Sequence, residues 1–315
     1  MRTANATTTS AAPRSREARL SLRQRIVDGD LGGYVLIAPA IILLAALTVW
    51  PLVFSLGISF TNYTGLGRAP LEFIGLNNYV RALNDSFFTG SVLTTAKLAV
   101  VALPLQMILA YGCARILQAA TGMIGSNLFR TLFIVPTMMS SLTIALFFRY
   151  SLDATIGVGN EVLRFLRLPP LLFFADRDQA LFTVMAVYLW QWVPFTTLLV
   201  LAGLLGIPRH IYEAAALDGS RWYHRVRYID VPLLRRVLIV ALVLATVEIV
   251  RLFDLVYGTT QGGPGTATFV VSIGIYRIGF QDFNTALAAA TSLMVLGLTL
   301  FIALIFVREM HEERR

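Results

Sequence analysis

Three charged side chains crowd the end of one apolar stretch: Glu248, Arg251 and Asp254, spaced three residues apart. On a helix that spacing puts them on roughly one face. Carboxylates and a guanidinium in that position can hydrogen-bond the hydroxyls of a passing solute. They can equally neutralise one another and lock a helix contact, and both readings stand. Trp190, Gln191 and Trp192 supply aromatic surface and an amide that would suit a sugar ring. Tryptophans at a membrane interface are the alternative for this pair, as for Trp50 and Trp222. The third polar feature is the segment 207–232, which carries Arg209, Glu213, Asp218, Arg221, Arg225, Arg227 and Asp230 between two apolar stretches.

Other chemistry finds little material. The single cysteine, Cys113, lies inside an apolar run, and the histidines stand apart at 210, 224 and 311, so neither a disulfide framework nor a metal-ligand cluster is expected. Lys97 stands between Ala96 and Leu98, which rules out the Gly-Lys-Ser/Thr core of a phosphate-binding loop. No Ser/His/Asp set occurs inside the apolar runs, so an enzyme ranks below a binding or conducting protein.

The elements that must position these residues are membrane spans. Of 315 residues 57% are hydrophobic and 14% charged, against about 25% charged in ordinary soluble domains. A helix of about 20 apolar residues crosses a bilayer. Charge-poor runs place spans at roughly 31–60, 91–114, 129–149, 180–206, 233–257 and 284–307. Lys97 falls near the outer end of the second, where a long side chain can snorkel. The uncharged run 255–276 contains Gly258 and Gly262-Gly263-Pro264-Gly265, which read as a re-entrant or surface loop rather than a seventh span. The first apolar run is too long for the core of a cleaved signal peptide and reads as an uncleaved span. Residues 1–30, rich in Thr, Ala and Arg, read as a disordered tail, and 308–315 as a second tail.

The formal charge of +8 is explained by orientation rather than by nucleic acid. Arginines concentrate in the first tail, at 115 and 130, at six positions within 207–236, and after Val307. The bias puts both termini and the 207–232 loop in the cytoplasm. The expected architecture is all-α and polytopic, with about six transmembrane helices and a permease domain over 31–307.

Within the loop, Pro208 suits a first helical turn and Gly219 a helix C′ position. Between them Arg209–Asp218 can form about three turns, with Ala214, Ala215 and Ala216 giving a smooth side. Ser220 is a candidate cap for a second helix on which Trp222, Val226 and Ile229 share a face. Arg221, Arg225 and Arg227 form its basic, water-facing part, and Pro232 restarts the chain at the fifth span. An amphipathic loop resting on the membrane is the bland alternative.

The spacing Glu213-Ala214-Ala215, Gly219, Ile229, Pro232 resembles the EAA loop of membrane subunits of binding-protein-dependent ABC importers. The resemblance extends to Gly75-Leu76-Asn77-Asn78-Tyr79, to Phe129-Arg130-Thr131 with Pro136, to Trp192-x-Pro194-Phe195, to Leu201-Ala202-Gly203-Leu204 with Ile207-Pro208, and to Phe253-Asp254-x-x-Tyr257 with Gly262-Gly263-Pro264. It covers residues 34 to about 307 and points to the sugar and glycerol-3-phosphate branch. Val231 departs from the family's usual leucine.

The resemblance implies a permease subunit of the bacterial inner membrane that carries a sugar-like solute by alternating access, with a helix-turn-helix coupling loop. Glu213, Ala214, Ala215, Asp218, Gly219, Ile229 and Pro232 would couple it to an ATPase dimer. ATP and Mg would bind that dimer and no cofactor this chain. A second permease and an extracytoplasmic substrate-binding protein would complete the assembly, with lipid around it. A self-contained secondary transporter is the rival; it normally shows repeated halves and several intramembrane ion ligands, and neither is visible here.

Overall fold

The computed structural model describes residues 32–67 and 70–311. The predicted tail at 1–30, residues 312–315 of the second predicted tail, and Arg68 lie outside the described residues. Regular structure among the described residues is helical, apart from one isolated bridge between Thr61 and Phe73.

In chain order the helices are α1 (Gly32–Ser59), α2 (Asn77–Asn84), α3 (Ser86–Ala119), α4 (Ser126–Met138), α5 (Ser141–Ser151), α6 (Val158–Phe165) and α7 (Arg177–Leu205). Next come α8 (Arg209–Leu217), α9 (Trp222–Arg225), a π-helical turn (Val226–Asp230), α10 (Val231–Val250), α11 (Asp254–Thr259) and α12 (Val271–Tyr276). A second π-helical turn (Arg277–Gln281) leads to α13 (Thr285–His311). The last helix runs into the predicted C-terminal tail, taking residues 308–311 with it.

The chain divides into two compact units, residues 1–54 and 55–315. The described part of the first is the apolar body of α1, which contains Pro39 and Pro51. The second is built on α3 and α7, which pack against each other. On α3 the buried residues Leu98, Ala102, Gln106, Ala110, Ala114 and Leu117 recur every three or four positions, which makes one helical stripe. Three of the six are alanines, the small residues that let helix backbones approach closely in lipid. Inside that contact Gln106 donates to Thr196 at 2.7 Å and accepts from the Tyr188 hydroxyl at 2.9 Å.

Several family motifs turn out to be staples. Asn78 is buried and its amide donates to the carbonyls of Ser59 and Thr61, both at 2.8 Å. Tyr79 shares a 2.8 Å hydrogen bond with Ser59. The Gly75–Tyr79 motif thus fixes the exit from the last turn of α1. Arg130 reaches back to the carbonyl of Leu117 at 3.1 Å and to Thr121 at 2.6 Å, satisfying the C-terminal end of α3.

Among the described residues four helices are long and apolar enough to cross a membrane: α1 from Leu36, α3, α7, and α13 to Arg308. The predicted third span is not a single helix. It breaks into α4 and α5, bent by 93°, because Met139 and Ser140 are extended. The predicted fifth span also ends early, at Val250 rather than 257, and α10 carries Arg235, Arg236 and Glu248.

The uncharged run 255–276 is buried rather than superficial. Leu255, Val256, Gly258, Thr259, Thr268 and Val271 are all nearly inaccessible. α11 packs on α5, and Thr95 of α3 accepts the Val271 N–H at 2.8 Å. Lys97 is eleven residues into the 34-residue α3, where it shares a cavity of about 520 Å³ with Thr94, Arg177, Asp178 and Thr266.

Candidate functional site

The loop at 207–232 begins with Ile207 buried and Pro208 as the cap of α8, one position before the helix rather than in its first turn. α8 closes through Gly219, whose φ is +67°. The Ser220 N–H reaches the Ala215 carbonyl at 3.0 Å and the Gly219 N–H reaches Ala216 at 3.1 Å. That pair of bonds is the Schellman closure, and its left-handed residue favours glycine. No atom lies within 4 Å of the place a Cβ would take at Gly219.

α8 has two unlike faces. Ile211 and Tyr212 pack inward on a cluster containing Ala114, Leu117, Val200 and Leu204. Outward stand Glu213, Ala214, Ala216, Leu217, Asp218 and Gly219, with Leu217 90% exposed, while Ala215 is half-buried. Leu217 is thus presented among small residues on a loop rich in charge.

The second predicted helix of the loop is different from the expectation. α9 is a single turn that runs through the π-helical turn into α10. Ser220 does not cap it; Arg221 does by position, and the Ser220 hydroxyl accepts from Arg225 at 3.3 Å. Trp222 is exposed whereas Val226 and Ile229 are half-buried, and Arg225 is half-buried while Arg221 and Arg227 are exposed. Pro232 gives a physical reason. In an α-helix its ring would strike the carbonyl four residues back, and widening the preceding turn relieves that clash.

That widened turn ends at Asp230, whose side chain is completely buried. Tyr212 of α8 donates to its Oδ1 at 2.6 Å, and Tyr111 of α3 donates to its Oδ2. Arg115 of α3 stands 3.8 Å from Oδ2 and 5.5 Å over the Tyr212 ring. Burial, then the hydrogen bond to Asp230, pushes the Tyr212 phenol up to about 12, so it remains a donor at neutral pH. None of these four residues was a candidate from the sequence. The available signal was an aspartate between Ile229 and Val231 at the head of an apolar helix, where a charge is costly without partners.

The remaining predicted residues are dispersed. Glu248 lies on α10 and is half-buried, Arg251 is the exposed cap at its end, and Asp254 opens α11 and is exposed. No ion pair within 4.0 Å joins these three, and Asp254 stands on a separate helix from Glu248. Just past the helix end the Leu252 carbonyl accepts from Ser272 at 3.0 Å and the Phe253 N–H turns back to Arg251 at 2.7 Å.

Trp190, Gln191 and Trp192 point in three directions, as consecutive helical residues must. Trp190 meets Phe148 edge-on at 5.2 Å and Trp192 meets Phe195 at 6.3 Å. Gln191 is buried and donates to Ser141 at 3.0 Å, plugging the break between α4 and α5.

Beside Arg251 and Asp254 the fold assembles an aromatic ladder in which the sequence motif Phe253-Asp254-x-x-Tyr257 supplies two rings and nothing in the sequence marks the other two. Phe253 stacks on Tyr257 at 5.1 Å, Tyr276 lies 5.1 Å from Phe253 and 5.4 Å from Tyr257, and Phe280 stacks on Tyr276 at 5.3 Å. The first three rings are half-buried and Phe280 is 71% exposed. Among the described residues no group of His, Cys, Asp and Glu could hold a metal ion.

The family model described as binding-protein-dependent transport system inner membrane component matches residues 106–309. The trehalose/maltose transport system permease protein MalF of Thermococcus litoralis is 34% identical over 85% of this chain and 91% of its own length. This chain belongs to that inner membrane component family. The lactose transport system permease protein LacF of Rhizobium radiobacter is 32% identical over 83% of this chain and 88% of its own. In fold, a chain of a bacterial alginate ABC transporter superposes with a TM-score of 0.78 at 21% identity, covering 92% of this chain and 97% of that one. As a family member the chain is a multi-pass membrane permease component and not an enzyme, and ATP hydrolysis belongs to a separate subunit.

Proposed function

We propose that this chain is one of two permease subunits in an ATP-driven importer that carries a sugar or sugar-like solute into the cytoplasm by alternating access. The observation that carries the reading is α8: a short helix whose outer face offers Glu213, Ala214, Ala216 and an exposed Leu217, closed by Gly219. That face suits the cleft of an ATPase subunit, with Ala215, Asp218, Ile229 and Pro232 shaping the loop behind it. A dimer of such subunits would bind ATP and Mg on the cytoplasmic side, a substrate-binding protein would dock outside, and lipid would surround the spans. Six crossings would follow if the bent α4–α5 pair and α10 each cross alongside the four long helices, and the arginine bias supports cytoplasmic termini.

The names of the relatives support a sugar, and so does the aromatic ladder, since half-exposed rings can stack on a sugar's apolar face. A disaccharide, an oligosaccharide and a glycerol phosphate derivative all fit. Purified complex in proteoliposomes should take up its solute only with ATP on the ATPase side and binding protein on the other. Uptake that survives without ATP and collapses with an uncoupler would instead make this a secondary transporter. Tyr276→Ala should lower uptake about tenfold, ~1.4 kcal/mol, with the complex still assembled. Unchanged uptake would remove the ladder from the solute path.

A further inference from the structure

We propose that Asp230, held by Tyr111, Tyr212 and Arg115, is the joint through which the docking helix α8 drives the long helix α3. This rests on the reading of α8 as the ATPase-docking element. The four side chains come from three segments: α8, α3 and the π-helical turn that leads into α10. Apolar packing alone already holds α8 down, through Ile211 and Tyr212 on Ala114 and Leu117. Packing of that kind tolerates small sliding, whereas a carboxylate accepting at both oxygens fixes one register between the parts it joins. Buried charge is seldom the most stabilising choice, and its best-attested use is registry.

The π-helical turn is part of the device. One extra residue rotates the rest of the helix by about 100°, and the turn delivers Asp230 inward while Tyr228 and Val231 remain exposed and Ile229 is half-buried. π-helical turns recur at functional sites.

α3 has the form of a lever. At about 1.5 Å per residue its 34 residues reach ~50 Å. Tyr111 and Arg115 lie toward the α8 end, Gln106 ties the middle to α7, and Thr95 holds the backbone of α12 beyond. A displacement of α8 passed to α3 at Asp230 therefore reaches the Gly262–Gly265 segment and the aromatic ladder. Asp230, Tyr111 and Tyr212 act as positioning residues and touch neither nucleotide nor solute.

The test uses the assembled complex in proteoliposomes, with Tyr212→Phe as the lead variant because it deletes one hydroxyl and keeps the packing. Four quantities are read: amount of complex, ATPase rate stimulated by the binding protein, uptake, and solute imported per ATP. Assembly should stay at the wild-type level and stimulated ATPase within about twofold, while solute per ATP falls about tenfold. Tyr111→Phe should behave alike, and the double variant should be no worse than either single, since cutting one end already opens the joint. Asp230→Asn should uncouple at least as strongly. Wild-type solute per ATP in Tyr212→Phe, or a loss confined to the amount of complex, would overturn the joint. A wild-type complex with no binding-protein-stimulated ATPase would overturn the importer reading and the joint with it.

Discussion

Gly219→Asp is expected to abolish uptake, by a hundredfold or more, in a protein that still inserts and folds. The two halves of that expectation come from different observations. Gly219 has φ +67°, and an L-residue there costs about 1–2 kcal/mol, with Asp and Asn among the better tolerated. A Cβ would meet nothing within 4 Å in this chain, so the fold has room for it. The damage would then fall outside the chain, where a carboxylate would protrude from the face proposed to dock the ATPase. It would also add negative charge at the C-terminal end of α8, which the helix dipole disfavours. Gly219→Asn separates the causes: it keeps the backbone strain without the charge, and should retain a substantial part of the uptake. The measurements are ATP-dependent uptake and recovery of the ATPase subunits with the tagged permease. Wild-type uptake by Gly219→Asp would remove α8 from energy coupling.

Whatever depends on local chemistry was legible in the sequence. Gly219 could be placed at a helix end because only a C′ glycine gives that turn cheaply, and α1 and α7 fall within a few residues of their predicted limits because hydropathy counts charges. The breaks were not legible. A hydropathy window runs through Met139 and Ser140 because both leave the bilayer score unchanged, whereas the extended backbone there meets Gln191, which arrives from another helix. Glu248, Arg251 and Asp254 looked like one face only on the assumption of a continuous helix, whereas the helix stops at Val250 and Asp254 opens another. Asp230 was hidden because its two phenol partners lie 119 and 18 positions off. A one-dimensional pattern does not contain tertiary partners of this kind.

Gly258→Ala is the second large effect, and it tests the buried segment between α10 and α13. A Cβ at Gly258 would stand 2.6 Å from the Cβ of Ala145 and 3.1 Å from Leu142. Ordinary carbon contacts are about 3.5–4.0 Å, so α11 must back away from α5 by about 1 Å. Alanine Cβ atoms are fixed to the backbone and cannot rotate out of the way. Overpacking of this kind costs about 1–3 kcal/mol, and Gly258→Leu, with more to bury, should prevent accumulation of folded protein altogether. Thermal unfolding in detergent should show Gly258→Ala less stable than wild type, and Ala145→Gly should restore most of the loss, a coupling that only residues in direct contact produce. No restoration would mean that α11 and α5 do not meet at this pair. Uptake by the double variant carries a further consequence. Recovery of stability together with uptake confines the contact to packing, whereas recovery of stability alone makes the fit of α11 on α5 part of the transport cycle itself, because α11 connects Asp254 to the Gly262–Gly265 turn.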